Sequence, residues 1–213
     1  MIKTILFDFD GVILDSMKIK AEGFKSIFSE FSKDDIDKME AFHYANGGVS
    51  RFEKIKYFFN VILQQNIEAK EIQNYAEKFA KAIEENLKKP DNLIVETVQF
   101  IQLNYQKFNM HIVSGAEHHE LNELCEIFNL KKYFLSIEGS PVKKDVLIRN
   151  LLKNYNYNTQ DTILIGDSIN DYDAAQKNDI EFYAYNNIAL KNLDCKYIDS
   201  FNRVHFKDEE AAE

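Results

Sequence analysis

The chain is poor in three things. It has only two cysteines in 213 residues, Cys125 and Cys195, with neither a CxxC pair nor zinc-ligand spacing. That argues against a disulfide framework or a structural zinc, and two buried free thiols are expected. No apolar stretch approaches the roughly 18 residues of a membrane span. The N-terminus enters a strand-like run at once, without the basic segment and cleavage pattern of a signal peptide. A cytoplasmic protein is the expectation. Basic residues are also outnumbered, for a formal net charge of −9. Phosphate backbones and anionic membranes need a basic footprint, so neither nucleic acid nor membrane is expected as a partner. A small phosphorylated ligand is still admissible, because a few cations and a metal can dominate one pocket.

What is present is material for a core. Hydrophobic residues make up 45% and charged residues 29% of the chain, enough for one large α/β domain or a core with a smaller lid. There is no internal repeat and no low-complexity segment. Three short apolar runs end in polar residues: 4–7 before Asp8, 111–113 before Ser114, and 162–165 before Gly166 and Asp167. Each has the length of a buried strand and is followed by a helical pattern, so the alternation reads as βα units with a parallel sheet. Weaker candidate strands lie at 133–137, 181–185 and 196–198. Ligands of such sheets collect at the carboxyl ends of the strands, where Asp8, Ser114 and Asp167 all fall.

Between the first two runs, residues 16–89 carry apolar residues at helical spacing, among them Phe24, Ile27, Phe28, Ile55, Phe58, Phe59, Phe79 and Ile83. Gly47-Gly48 interrupts this tract and Pro90 closes it. A βαβ crossover needs one helix, and the tract holds about four. The surplus predicts an all-helical cap at 16–89 over a Rossmann-like core of 1–15 and 90–205, with a polar tail at 206–213 expected to fray. The alternative is that these helices only thicken the core.

The chemistry-bearing residues sit at the strand ends. Asp8 and Asp10 flank Phe9 just before Gly11, which permits a sharp turn. Two carboxylates so close repel unless a cation or a shared proton relieves them. Asp167 and Asp171 supply two more, and hard oxygen ligands without nearby His or Cys suit Mg²⁺. Ser114 and Gly115 read as an anion cradle at a helix start. Lys143 or Lys144, ahead of another helix, would balance the acids, and the distance from Pro141 favours Lys144. Each feature has a plain alternative: capping acids, an N-cap serine, solvated lysines.

In order, Asp-x-Asp, Ser, Lys and Gly-Asp-x-x-x-Asp resemble the four-motif signature of the haloacid dehalogenase superfamily, phosphatase branch. The resemblance covers about residues 2–198. The insertion resembles the helical cap of the subgroup containing phosphoglycolate phosphatases and β-phosphoglucomutase. It implies that Asp8 is the nucleophile and forms an aspartyl-phosphate, and that Asp10 is the acid and base. Mg²⁺ would be held by Asp8, the Asp10 carbonyl and Asp167. Ser114, Gly115 and Lys144 would bind the phosphoryl oxygens, with Asp171 supporting metal or lysine. Gly47 to Arg51 resembles a cap loop in which the arginine contacts a substrate phosphate, so Arg51 is a candidate for a second anionic group. Lys20 and Lys54 remain ambiguous, and His118, His119 and His43 weaker still. The cap aromatics Phe52, Tyr57, Phe58 and Phe59 read as cap core.

The expected activity is Mg²⁺-dependent hydrolysis of a small phosphate monoester, a sugar phosphate or phosphoglycolate-like acid, by a monomer or small homo-oligomer. A sugar phosphomutase would share the chemistry, but mutases of this type tend to carry an acid where Gly166 stands. A receiver domain is about half this length and lacks the insertion. A non-catalytic phospho-ligand binding protein is the remote alternative.

Overall fold

The structure, a computed structural model, describes residues 1–204 and 206. Among them a six-stranded parallel sheet forms the centre, in the order β3-β2-β1-β4-β5-β6. The strands are β1 (Thr4–Phe7), β2 (Asn109–Glu117), β3 (Ser136–Ser140), β4 (Thr162–Gly166), β5 (Glu181–Tyr185) and β6 (Lys196–Ile198). β1 lies between β2 and β4, and its four residues are all buried. This explains its unbroken apolar run: a central parallel strand is covered on both faces. The order reverses direction at β1, the switch point where α/β sheets gather their ligands.

Four α-helices lie within residues 16–89 after β1: α1 (Met17–Ile27), α2 (Lys33–Ala45), α3 (Arg51–Tyr57) and α4 (Ala69–Leu87). α3 runs on into a π-helical turn at Phe58–Ile62. Ser32 and Ser50 cap α2 and α3 by accepting the backbone N–H groups of Asp35 and Glu53, which fixes where each helix begins. The rings of the tract pack on one another. Phe28 stacks on Phe58 at 3.8 Å, Phe24 meets Phe79 at 4.4 Å, and Tyr57 stacks on Phe42 at 3.5 Å. These aromatics fill the tract's interior, and their cluster is continuous with the sheet residues Ile5, Phe7 and Ile112. The remaining helices are α5 (Val95–Asn104), α6 (His118–Ile127), α7 (Lys144–Tyr155) and α8 (Ile169–Gln176).

Three expectations need correction. The strand anticipated at 133–137 is β3 at Ser136–Ser140, because Lys131–Tyr133 forms a 3₁₀ turn first. β2 does not stop at Ser114 but continues, with a shift in its pairing to β3 between Val113 and Glu117, so α6 starts at His118. The tail expectation began one residue early. Phe206 is buried against Phe100, Phe108 and Tyr183, while the rest of 207–213 lies outside the described residues. Both cysteines are free, Cys125 buried and Cys195 half-buried. No helix among the described residues is long and apolar enough to cross a membrane.

Candidate active site

Asp8 follows the last residue of β1 and is almost fully buried. Its backbone N–H donates to the Ile165 carbonyl at 2.9 Å, and its Oδ1 accepts the Phe9 N–H at 2.7 Å. The sheet therefore dictates where the carboxylate stands. Carboxylate oxygens of Asp8, Asp167 and Asp171 lie within 4.8 Å of one another. Lys144, at the start of α7, reaches Asp8 Oδ2 at 3.0 Å and also pairs with Asp171 Oδ1. The other Asp171 oxygen accepts the Ser168 backbone N–H at 3.1 Å and its hydroxyl at 2.7 Å. Asp171 thus meets Lys144 with one oxygen and Ser168 twice with the other, whereas each Asp8 oxygen meets one donor.

Glycines make this convergence possible. Gly11 has φ +75°, and a Cβ there would collide with the Asp167 carboxylate. A Cβ on Gly166 would sit 2.5 Å from Asp171 Cβ. Both positions must be bare for the acids to approach.

The charge of the cluster is unbalanced. Burial pushes Asp8 up to about 7, and Asp171 and Asp10 push the same way while Lys144 opposes them. Burial, Asp171 and Asp8 likewise hold Asp167 well above the ordinary carboxylate range. One ammonium against three carboxylates leaves a deficit that a divalent cation would meet. An all-oxygen donor set fits a hard ion such as Mg²⁺.

Asp10 faces the other way. Ser16 Oγ donates to its Oδ1 at 2.5 Å, and Lys20 of α1 forms an ion pair with its Oδ2. Burial raises this carboxyl, but Lys20 and Ser16 outweigh it and the net position is below the usual range. Its side chain is not part of the three-carboxylate group; the assignment of the Asp10 carbonyl to a metal concerns the backbone. Ser114 is buried on β2, where its Oγ accepts the Ala116 N–H at 3.1 Å. Any cradle at Ser114–Gly115 therefore comes from an irregular strand end and not from a helix N-terminus. Gly115 lies directly under the cap loop, and a Cβ there would strike the Gly48 carbonyl.

A chamber of about 20 Å³ lies between the tract and the strand ends, walled by Asp10, Lys20, His43, Arg51, Lys54 and Gly115 among others. Arg51 is in its wall, but its guanidinium is paired with Glu120 of α6 and stands over the Phe79 ring at 5.1 Å. Lys54 Nζ is 3.0 Å from His43 Nδ1. His118 instead accepts the Gly139 N–H at 3.3 Å, and neither it nor His119 lines the chamber. Lys20, His43 and Lys54 are the residues that sequence reasoning underrated. The available signal was phase: Lys20 and Lys54 each stand four residues before a buried phenylalanine, Phe24 and Phe58, on the inward face of a helix. A wider cleft of about 230 Å³ adjoins, lined by Gly48, Gly115, Ser140, Lys143, Lys144 and Asn170 among others. Lys143 is exposed there while Lys144 is buried on the acids.

No curated protein matches the chain in sequence. Solved structures do. β-Phosphoglucomutase from Clostridium difficile superposes with a TM-score of 0.75 at 18% identity, covering 97% of this chain and 94% of the other. CbbY from Rhodobacter sphaeroides, in complex with phosphate, gives 0.74 at 15% identity, covering 95% and 96%. A predicted phosphoglycolate phosphatase from Haemophilus somnus gives 0.70 at 16% identity, covering 94% and 95%. At these identities the likeness is one of fold. The family model described as haloacid dehalogenase-like hydrolase matches residues 5–185, and with the fold it places the chain in that family.

Proposed function

We propose that the chain is a Mg²⁺-dependent phosphatase that hydrolyses a small phosphate monoester through a phosphorylated Asp8. The observation that carries this reading is the three-carboxylate group of Asp8, Asp167 and Asp171 against the single ammonium of Lys144. Asp8 and Asp167, with the Asp10 carbonyl, would hold the metal, which when bound offsets charge on the transferring phosphoryl group.

The chain's own groups divide the remaining work. A carboxylate oxygen of Asp8, held in place by Phe9 on Oδ1 and Lys144 on Oδ2, attacks phosphorus. Lys144, the Ser114 hydroxyl and the Gly115 N–H neutralise the phosphoryl oxygens. Asp10 protonates the leaving oxygen and then takes a proton from the water that cleaves the aspartyl-phosphate, a role worth roughly 10²–10⁴-fold in rate. Its pairing with Lys20 keeps it an anion at neutral pH. Donating a proton therefore requires that pair to loosen as substrate enters.

The phosphomutase reading shares every step except the last acceptor. Gly166 favours water. The mutase pattern has an acid at that position, and here any side chain would displace Asp171 and free Lys144. A screen of phosphorylated metabolites for phosphate release, with and without Mg²⁺ and with and without a sugar bisphosphate, tests both readings. Mg²⁺-dependent release without bisphosphate is expected. Release only in its presence would favour the mutase. No release from any monoester would leave the binding-protein alternative.

A further inference from the structure

Four lysine or arginine side chains are buried among the described residues: Lys20, Arg51, Lys54 and Lys144. Three of them meet a carboxylate. Lys20 pairs with Asp10, Arg51 with Glu120, and Lys144 with Asp8 and Asp171. Lys54 does not. It is 3% exposed, and its partners are His43 Nδ1 at 3.0 Å and the Gly47 carbonyl at 3.4 Å.

His43 cannot supply the missing charge. Its ring is buried, and its Nε2 lies 2.9 Å from the Met17 carbonyl, which can only accept. Nε2 therefore carries the proton and Nδ1 accepts from Lys54. Burial and the Lys54 charge hold this histidine neutral, down at about 3. An ammonium group taken out of water without a counter-charge is costly, and an anionic ligand beside it would offset that cost. Burial and then Lys20 push Lys54 down to about 7, against the opposing pull of Asp10, Asp167 and Asp8. Lys54 also lines the chamber that Asp10 lines, whereas Lys144 lines the neighbouring cleft and meets Asp8.

We propose that Lys54 is an anion-binding residue, so that the substrate is a phosphate monoester whose leaving group carries a second anionic group, a carboxylate or a second phosphate. This rests on the phosphatase reading only in placing the reacting phosphate at Asp8. Arg51 is less suited to the task because Glu120 already meets its charge. The chamber's 20 Å³ admits about one water, so the second anion enters as the Gly47–Gly48 loop withdraws from Gly115 and Ser168.

Phosphonates, whose C–P bond is not hydrolysed, separate this proposal from catalysis. Calorimetric titration in Mg²⁺ would compare alkylphosphonates with phosphonocarboxylates and bisphosphonates of matched, graded chain length. The wild type is expected to bind at least one doubly anionic member roughly ten- to hundredfold more tightly than its singly anionic match, the worth of one buried charge-assisted hydrogen bond. Whether carboxylate or bisphosphonate shows the larger preference identifies the second group. In Lys54→Met the preference should fall to within about threefold, and Lys54→Arg should retain part of it. A wild type without preference, or a preference that survives Lys54→Met, overturns the proposal. Should Lys54→Met fail to fold, Lys54→Gln gives the same comparison with a hydrogen-bonding side chain. Failure of the phosphatase reading would show separately, as absence of turnover with the binding preference intact.

Discussion

Lys20, on the first helix after β1, forms a buried ion pair with Asp10, the carboxylate two residues beyond the nucleophile position. The pair links the helical tract to the strand end and sets the charge of the group assigned as acid and base. In Lys20→Met, Asp10 loses the cation that most lowers it, so its pKa rises. Because leaving-group protonation needs the protonated acid, the falling alkaline limb of kcat/KM should move to higher pH. Breaking a buried pair also leaves a lone carboxylate, costing about 3 kcal/mol at pH 7 by denaturant titration. As Asp10 sits below its usual range, its contribution to stability is present above the ordinary carboxylate pKa and lost as pH falls. The penalty of the variant should therefore shrink in acid.

Asp8→Asn should act in two directions. Hydrolysis of any monoester should fall to background, since the amide does not attack phosphorus. Without metal, however, the variant should be more stable than the wild type. Asp8 sits at about 7 in the fold, so ionising it costs the folded state increasingly as pH climbs from the ordinary carboxylate pKa through 7. Thermal melts in chelator should show a gain for Asp8→Asn at pH 8 that vanishes near pH 4. In the wild type, Mg²⁺ should raise Tm more at pH 8 than at pH 5.5.

Gly166→Ala places a methyl group against Asp171. Asp171 then cannot hold both Ser168 and Lys144. A loss of about 1–3 kcal/mol in stability is expected from overpacking, with KM for an aryl phosphate rising as Lys144 is released. Unchanged kinetics with a normal melt would show that Asp171 does not position the lysine.

Lys54→Met removes a buried charge. Lys54 is lowered to about 7, so the unfolded chain binds the extra proton between about 7 and its ordinary pKa, and the cost to the fold is full below 7. The variant should melt a few degrees higher than wild type at pH 6, by roughly 2–4 °C per kcal/mol for a chain of this size, and the gain should diminish towards pH 10.

The convergence of the candidate site's acids was legible in the sequence because their placement is local. Asp8 and Asp167 directly follow the short apolar strands β1 and β4, Asp10 lies two residues beyond Asp8, and Asp171 stands in the first turn of α8, so strand length fixes where the acids emerge. Lys144 followed from its distance to Pro141 and α7. What could not be read was which partner each side chain takes across the fold. In sequence Arg51 is a candidate for a second anionic group of the substrate, with an ion pair as the alternative, and Glu120, sixty-nine residues away, meets its charge. Lys54 is ambiguous in sequence and is buried, with no carboxylate partner among the described residues. The extension of β2 past Ser114 was hidden for a similar reason, since its pairing with β3 after the register shift depends on a distant strand.

The most direct test of the central claim is to quench the wild type during turnover of a good monoester in Mg²⁺, reduce with borohydride, and map the chain by mass spectrometry. An aspartyl-phosphate at Asp8 would be reduced to homoserine at that position, and Asp8→Asn should give neither this product nor phosphate release. Wild-type turnover with no modification at Asp8, together with hydrolysis retained in Asp8→Asn, would contradict the account.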